Sequence, residues 1–109
     1  MDGWRVEVLN EIVRAEIEAL PQDVRAHLAH IIDMMVAVGP ERMRTPHVKP
    51  LRDKLWEMRM HGRDGIARAI YIAAKGRRIV ILHAFVKKTQ KTPPQAIRLA
   101  LSRAKELEP

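Results

Sequence analysis

An unbroken apolar run, Ile79–Leu82, is joined by a basic connection to an amphipathic helical pattern, and this junction limits the fold more than any other stretch. The run predicts a buried strand. Thr92, Pro93 and Gln95 predict a helix start, with Thr92 as N-cap and Pro93 at the first helical position. Three lysines lie on the connection: Lys87, Lys88 and Lys91. Because a helix N-terminus adds N–H donors, the junction suits phosphate, although a solvated loop explains the lysines equally well.

Upstream of this junction, alternating segments separated by Gly-containing turns predict an antiparallel meander. The strands are predicted at residues 54–60, 66–72 and 78–86, and the turns at 61–65 and 74–77. In the first strand, a period of two puts Glu57 and Arg59 opposite Trp56. In the second, Arg68 shares a face with the isoleucines and Tyr71 points to the other face.

The first forty residues predict a short strand followed by two helices or by one kinked helix. Residues 4–9 alternate like a half-buried strand, and Asn10 can cap a helix that runs to about Leu20. Pro21 breaks this helix or starts a second one, which ends at Gly39. Apolar residues that recur at helical spacing are predicted to face the core. They are Ile12, Val13, Ile17 and Leu20 in the first helical segment, and Val24, Leu28, Ile31, Ile32, Met35 and Val38 in the second.

Residues 40–52 contain three prolines and predict a loop with a short helical turn, and a last helix is predicted from Pro93 to about Leu107. Residues 1–109 are therefore predicted to form one domain of the α+β class. Its core would be a small antiparallel β-sheet, the N-terminal strand plus the three-stranded meander, flanked by helices.

The charge is distributed unevenly along the chain. Its formal net value is +7, yet residues 1–40 carry seven acidic and only three basic side chains. Residues 41–109 carry six acidic and seventeen basic ones. This asymmetry favours a polyanion or an acidic partner bound by the C-terminal two-thirds, although charge also simply keeps basic proteins soluble.

Several kinds of chemistry find no support in the residues. There are no cysteines, the five glycines are scattered, and Ser102 is the only serine. His27 and His30 are three apart on a helix without a carboxylate to complete a metal site, so we expect no metal and no cofactor. No apolar stretch resembles a signal peptide or a membrane span, which suits a cytoplasmic protein with no membrane partner.

The remaining chemistry is cationic and lies on the meander and its exit. The candidate residues are Arg59, Arg68, Lys87, Lys88 and Lys91. RNA cleavage by its own 2′-hydroxyl needs a base, positive charge over the phosphate and an acid for the leaving oxygen, and such residues can supply them. Taken singly, each is explained by surface solvation, or for Arg68 by a salt bridge to Glu57; together they favour a phosphate-binding face.

His83 lies inside the apolar strand, on the same face as Phe85. We favour a histidine at the edge of the core with a satisfied hydrogen bond. A catalytic histidine is the alternative, and His83 therefore joins the candidate site residues.

Three segments carry a resemblance to a known family: Trp56–Arg59, Ala67–Tyr71 and Ile81–Pro93. They resemble the phage-derived HigB-like branch of the RelE/ParE toxin superfamily, and the third segment is the specific one. The resemblance implies a RelE-like fold and a toxin of a type II toxin–antitoxin pair. It also implies metal-independent cleavage of mRNA, commonly on the ribosome, and a cognate antitoxin partner, in HigB-type pairs a helix-turn-helix protein.

Carried over to this chain, the resemblance assigns Arg68 to the arginine that holds the scissile phosphate and Arg59 to the basic position of the preceding strand. Lys87, Lys88 and Lys91 match the basic motif after the last strand, and Tyr71 matches an aromatic residue that is often structural. The chain lacks the late tyrosine of some RelE-like toxins and the Asp-Tyr-His ending of another HigB branch, so the acid and the base stay open.

Two other functions fit the same residues. A ParE-like relative would poison gyrase by binding, although the lysine-rich exit motif argues against it. A non-catalytic phage-derived protein would use the basic face only to bind nucleic acid.

Overall fold

The computed structural model describes residues 3–63, 65–88 and 91–107, which contain three α-helices and five strands. In chain order these are β1 Arg5–Val8, α1 Glu11–Glu18, α2 Gln22–Val38, β2 Val48–Pro50, β3 Trp56–Gly62, β4 Gly65–Ala74, β5 Arg78–Lys87 and α3 Pro94–Ala104. Short 3₁₀ turns follow α2 at Pro40–Arg42 and α3 at Lys105–Leu107. None of the described helices combines the length and apolar character needed to cross a bilayer.

The strands form one sheet in the order β1-β5-β4-β3-β2, and the predicted α+β class is confirmed. Strands β2 to β5 pair antiparallel, as the meander requires. Strand β1 pairs parallel with β5, because the chain leaves β1 through α1 and α2 instead of a hairpin. Strand β2 is an addition to the loop predicted over residues 40–52; it is a three-residue edge strand that ends at Pro50.

Each face of the sheet buries its own apolar cluster. Helices α1 and α2 cover one face, where Leu28 and Ile31 pack with Met58 and Tyr71. The other face is covered by α3, whose buried residues pack with β-strand side chains of a second cluster. That cluster contains Leu55, Ile70, Val80, Leu82, Ala96 and Ala100. The predicted placement of Tyr71 opposite the isoleucines of β4 is therefore confirmed.

The ends of the first two helices follow from local capping. The Asn10 side chain accepts a hydrogen bond from the Val13 N–H at 3.1 Å, as predicted for an N-cap. Pro21 is the N-cap residue of α2, and Gly39 ends α2 with a φ of 84°. Two predicted core positions are wrong: Ile12 is 62% exposed, and Val38, in the last turn of α2, is 48% exposed. In α1 only Val13 is buried, so Ile12 points away from the sheet.

The predicted cap of α3 is also wrong by one residue. The N-cap is Pro93, the helix begins at Pro94, and no side chain caps it. Thr92 lies one residue before the N-cap, and its hydroxyl donates a hydrogen bond to the Glu57 carboxylate of β3. The Thr92 side chain therefore makes a contact with a residue far away in the sequence and does not cap the helix.

A β-bulge interrupts the pairing of β4 with β5. Tyr71 pairs with Ile81 and Ile70 pairs with His83, so Leu82 is the extra residue. Leu82 packs under α3, and His83 shares the face of its partner Ile70. The bulge therefore sets which side chains at the end of β5 face α3.

Candidate functional site: a cation cluster around a buried carboxylate

Strand register brings four of the predicted site residues to one face of the sheet. Arg59 pairs with Arg68, and Arg68 pairs with Phe85. Elsewhere along β4 and β5, Ile66 pairs with Lys87 and Ile70 pairs with His83. Directly opposed residues of antiparallel strands point to the same side, so Arg59, Arg68, Lys87 and His83 all lie on the face that α3 partly covers.

Arg68 lies at the centre of this face and is only 1% exposed. Its Nη1 donates to the Ala67 carbonyl at 2.9 Å, and its Nε lies 3.5 Å from Glu57 Oε2. Among the described residues that Nε has no hydrogen-bond partner. Burial lowers the pKa of Arg68, the Glu57 carboxylate opposes this effect, and Arg59 adds to it. The guanidinium is a fixed, desolvated cation, which strengthens its attraction for an anion.

Glu57 is the carboxylate that balances these cations, and it is 2% exposed. Its Oε2 lies 3.7 Å from Arg59 Nε, and its Oε1 accepts the hydrogen bond from the Thr92 hydroxyl. The predicted salt bridge between Arg68 and Glu57 is confirmed. We refer to Glu57, Arg59, Arg68, Lys87 and Thr92 as the Glu57 cluster.

Lys87 ends β5 and is only 4% exposed. Burial lowers its pKa, Arg68 lowers it further, Glu57 opposes the shift, and Arg59 and Lys49 contribute smaller decreases. A buried lysine among other cations is a stronger acid than an ordinary lysine. This is the environment in which a lysine can exchange a proton with a substrate.

The two remaining lysines of the exit motif differ from Lys87. Lys88 and Lys91 are exposed, and Arg59 is only partly buried. Residues 89–90, which lie between these two lysines in the basic motif, are outside the described residues. Lys91 lines the same cavity as Glu57 and Thr92, so Lys91 lies beside the Glu57 cluster.

Comparison with known proteins identifies the family. Residues 15–105 match the family described as phage-derived protein Gp49-like. The chain belongs to this Gp49-like family. It is 32% identical over 94 residues to a Mycobacterium tuberculosis protein named "Probable endoribonuclease HigB1", found in strains CDC 1551 / Oshkosh and H37Rv. That match covers 86% of this chain and 72% of the relative.

The Gp49-like chain also shares its fold with solved RelE structures. An Escherichia coli RelE mutant in the free state superposes with a TM-score of 0.68 at 14% identity, covering 94% of this chain and 98% of RelE. The RelE–RelB complex of Pyrococcus horikoshii OT3 contributes a chain with a TM-score of 0.56 at 23% identity. That second match covers 78% of this chain and 96% of the archaeal one. The predicted RelE-like fold is confirmed.

His83 of this Gp49-like chain contacts side chains of α1 and α3, and these contacts lie outside the Glu57 cluster. Its Nδ1 lies 2.9 Å from Glu16 Oε1, and its ring stacks on Phe85 with centroids 4.8 Å apart. Arg103 donates to both oxygens of Glu16 and to the Leu82 carbonyl. These contacts match the favoured interpretation of a hydrogen-bonded histidine at the edge of the core.

Two features of the site region go beyond the predicted salt bridge between Arg68 and Glu57. The first is the role of Glu57 as the common partner of Arg59, Arg68 and Thr92; its position two residues before Arg59 on the same strand face is the signal that indicates it. The second is a contact of His27 with His61, whose backbone N–H donates to His27 Nδ1 at 2.8 Å. Within residues 3–63, 65–88 and 91–107, no three metal-ligating side chains are grouped as for an ion.

Proposed function

We propose that this Gp49-like protein is the toxin of a type II toxin–antitoxin pair and cleaves mRNA without a metal ion. The observation that carries the proposal is the Glu57 cluster, in which a buried arginine and a buried lysine with a lowered pKa share one sheet face. The name of the Mycobacterium tuberculosis relative, a probable endoribonuclease, supports the same activity.

In the proposed reaction, Arg59 and Arg68 hold the scissile phosphate, with Lys88 and Lys91 on the adjoining phosphates. The 2′-oxygen attacks phosphorus, and its proton passes to a base on this face, for which Glu57 and His83 are the candidates. The bond from phosphorus to the 5′-oxygen breaks, and Lys87 gives that oxygen a proton. The arginines stabilise the added negative charge of the pentavalent phosphate. The products are a 2′,3′-cyclic phosphate and a 5′-hydroxyl.

We also propose a cognate antitoxin as partner, of the helix-turn-helix type, and the ribosome as the place of cleavage in the cytoplasm. The Pyrococcus horikoshii neighbour, a RelE–RelB complex, supports a protein partner for this fold. Exposed cations around the site, on a chain of net charge +7, favour an acidic covering segment; they are Lys49, Arg52, Lys88 and Lys91.

The deciding experiment maps 5′-ends of a reporter mRNA in a purified translation system. We expect cuts with the natural chain and a loss of at least about 100-fold in the Arg68→Ala, Lys88→Ala double variant, because the phosphate clamp is removed. An Arg25→Ala, Lys75→Ala variant is the matched control; it removes the same charge from exposed positions outside the cluster. Intact mRNA with folded protein would refute the proposal, and cuts without ribosomes would refute only the place of cleavage.

A further inference from the structure

A cavity of about 430 Å³ lies beside the Glu57 cluster and has one strongly apolar wall. Pro50, the last residue of β2, and Leu51, which follows it, form one side of this wall. Pro94 and Ile97 of the first turns of α3 form the other side. Leu51 and Ile97 are half-buried and pack against the apolar cluster under α3, so rigid elements hold the wall in place.

The rest of the cavity lining is charged or polar. Lys49, Arg52 and Lys91 contribute cations, and Glu57 and Thr92 contribute their polar groups. An inorganic anion alone would gain nothing from the apolar wall, and an apolar ligand alone would leave the cations without a counter-charge. A nucleotide satisfies both, since its base can pack against Pro, Leu and Ile side chains while its phosphates contact the cations.

Glu57 connects the cavity to the proposed site of cleavage. Its carboxylate contacts Arg59 and Arg68 and also lines the cavity. An RNA strand whose scissile phosphate lies on Arg68 therefore has a neighbouring nucleotide at the mouth of this cavity. We propose that the cavity binds the base of that neighbouring nucleotide and sets the base preference of the cut; this rests on the proposed endonuclease function.

The proposal assigns Leu51 and Ile97 as specificity-determining residues that do not touch the reacting atoms. Ile97→Trp fills the cavity and should change or abolish the base preference beside the cut, with cleavage of the natural site reduced at least tenfold. Leu99→Trp is the matched control, because Leu99 is exposed on the same helix and does not line the cavity. Mapping of 5′-ends on one reporter mRNA measures both variants against the natural chain.

A second measurement does not need cleavage or an altered chain. The methyl NMR signals of Leu51 and Ile97 are followed while the four nucleoside 5′-monophosphates, and separately ribose 5-phosphate, are added up to millimolar concentrations. We expect shifts with at least one nucleotide and none with ribose 5-phosphate. Equal shifts with ribose 5-phosphate would reduce the cavity to an anion site, and silence with every nucleotide would also overturn the inference.

The two proposals fail separately. Nucleotide-dependent shifts without any mRNA cuts would refute the endonuclease and leave a nucleotide site. In contrast, normal cuts with an unchanged base preference in Ile97→Trp and silent methyl signals would refute the base pocket and leave the endonuclease.

Discussion

At the scale of single residues, the Glu57 cluster combines three charged side chains, each of which is costly to bury alone. Arg68 and Lys87 are both almost inaccessible to water, and Glu57 is the carboxylate between them. Removing one member of such a set leaves the others uncompensated, whereas the complete set is tolerated. The cluster therefore holds cations ready for a phosphate, at a cost to stability that Glu57 offsets.

The lowered pKa of Lys87 gives a prediction for the pH dependence of cleavage. An acid must be protonated to donate, so we expect the rate to fall as pH rises through a pKa below the ordinary 10.5 of lysine. Lys87→Arg keeps the positive charge but cannot release the proton, so cleavage should drop by about 100- to 10,000-fold. Single-turnover rates between pH 6 and about pH 10 would test this. A fully active Lys87→Arg variant would exclude Lys87 as the acid.

At the scale of elements, one carboxylate joins α1, β5 and α3. Glu16 of α1 accepts hydrogen bonds from the Ala84 N–H of β5 and from Arg103 of α3, and it contacts His83. Ala84 lies beyond the residues of β5 that pair with β1, so Glu16 satisfies a donor at an otherwise open sheet edge. Burial raises the pKa of Glu16, but the hydrogen bonds from Arg103, His83 and Ala84 outweigh it, and the net pKa is lowered.

The lowered pKa of Glu16 predicts how stability depends on pH. Its stabilising effect is fully present above the ordinary pKa of 4.5 and is lost as pH falls through the lower value of the folded state. Glu16→Gln should therefore reduce the free energy of unfolding by about 1.5–3 kcal/mol at pH 7, and the difference should shrink below pH 4.5. Urea unfolding at several pH values measures this; a difference independent of pH would contradict it. Glu11→Gln, at an exposed position of the same helix, is the control.

Local patterns predict the elements of this chain better than its long-range contacts. Alternation in the second meander strand correctly separates Arg68 from Tyr71, and Asn10 caps its helix as its type suggests. The start of α3 is misplaced by one residue, and capping rules do not reveal that the Thr92 hydroxyl contacts Glu57, thirty-five residues earlier in the chain. The burial of Lys87 likewise depends on packing that a basic motif cannot reveal.

At the scale of the whole molecule, the sheet separates the two charge populations. The acidic first third forms β1, α1 and α2, and the two helices pack on one face. The Glu57 cluster lies on the opposite face. The acidic helices and the cations of the Glu57 cluster therefore lie on different sides of the sheet, a separation that would orient a polyanion before any specific contact forms.

This arrangement predicts the salt dependence of RNA binding. For single-stranded RNA, the logarithm of the binding constant should fall linearly with the logarithm of salt concentration, by about 0.7 for each phosphate neutralised. Lys88→Ala should make this slope shallower by about 0.7, and Arg25→Ala, on the α2 side, should leave it unchanged. Filter-binding or fluorescence titrations at several salt concentrations would decide. An equal change of the slope in both variants would contradict the prediction, because both sides of the protein would then contribute equally to RNA binding.

The bulge at Leu82 determines which face of the sheet the later side chains of β5 point to, and so whether Lys87 faces the site. Ile81 and Lys87 are separated by an even number of positions, so an unbroken strand would send both to the α2 side; the extra residue sends Lys87 to the other. Removing Leu82 would restore regular alternation and leave Lys87 facing the cluster, at the expense of a core side chain. Removing Val86 would instead turn Lys87 under α2. The effect of losing one residue therefore depends on its position along β5. Loss at the bulge keeps Lys87 on the face of the Glu57 cluster, whereas loss between the bulge and Lys87 moves it to the opposite face.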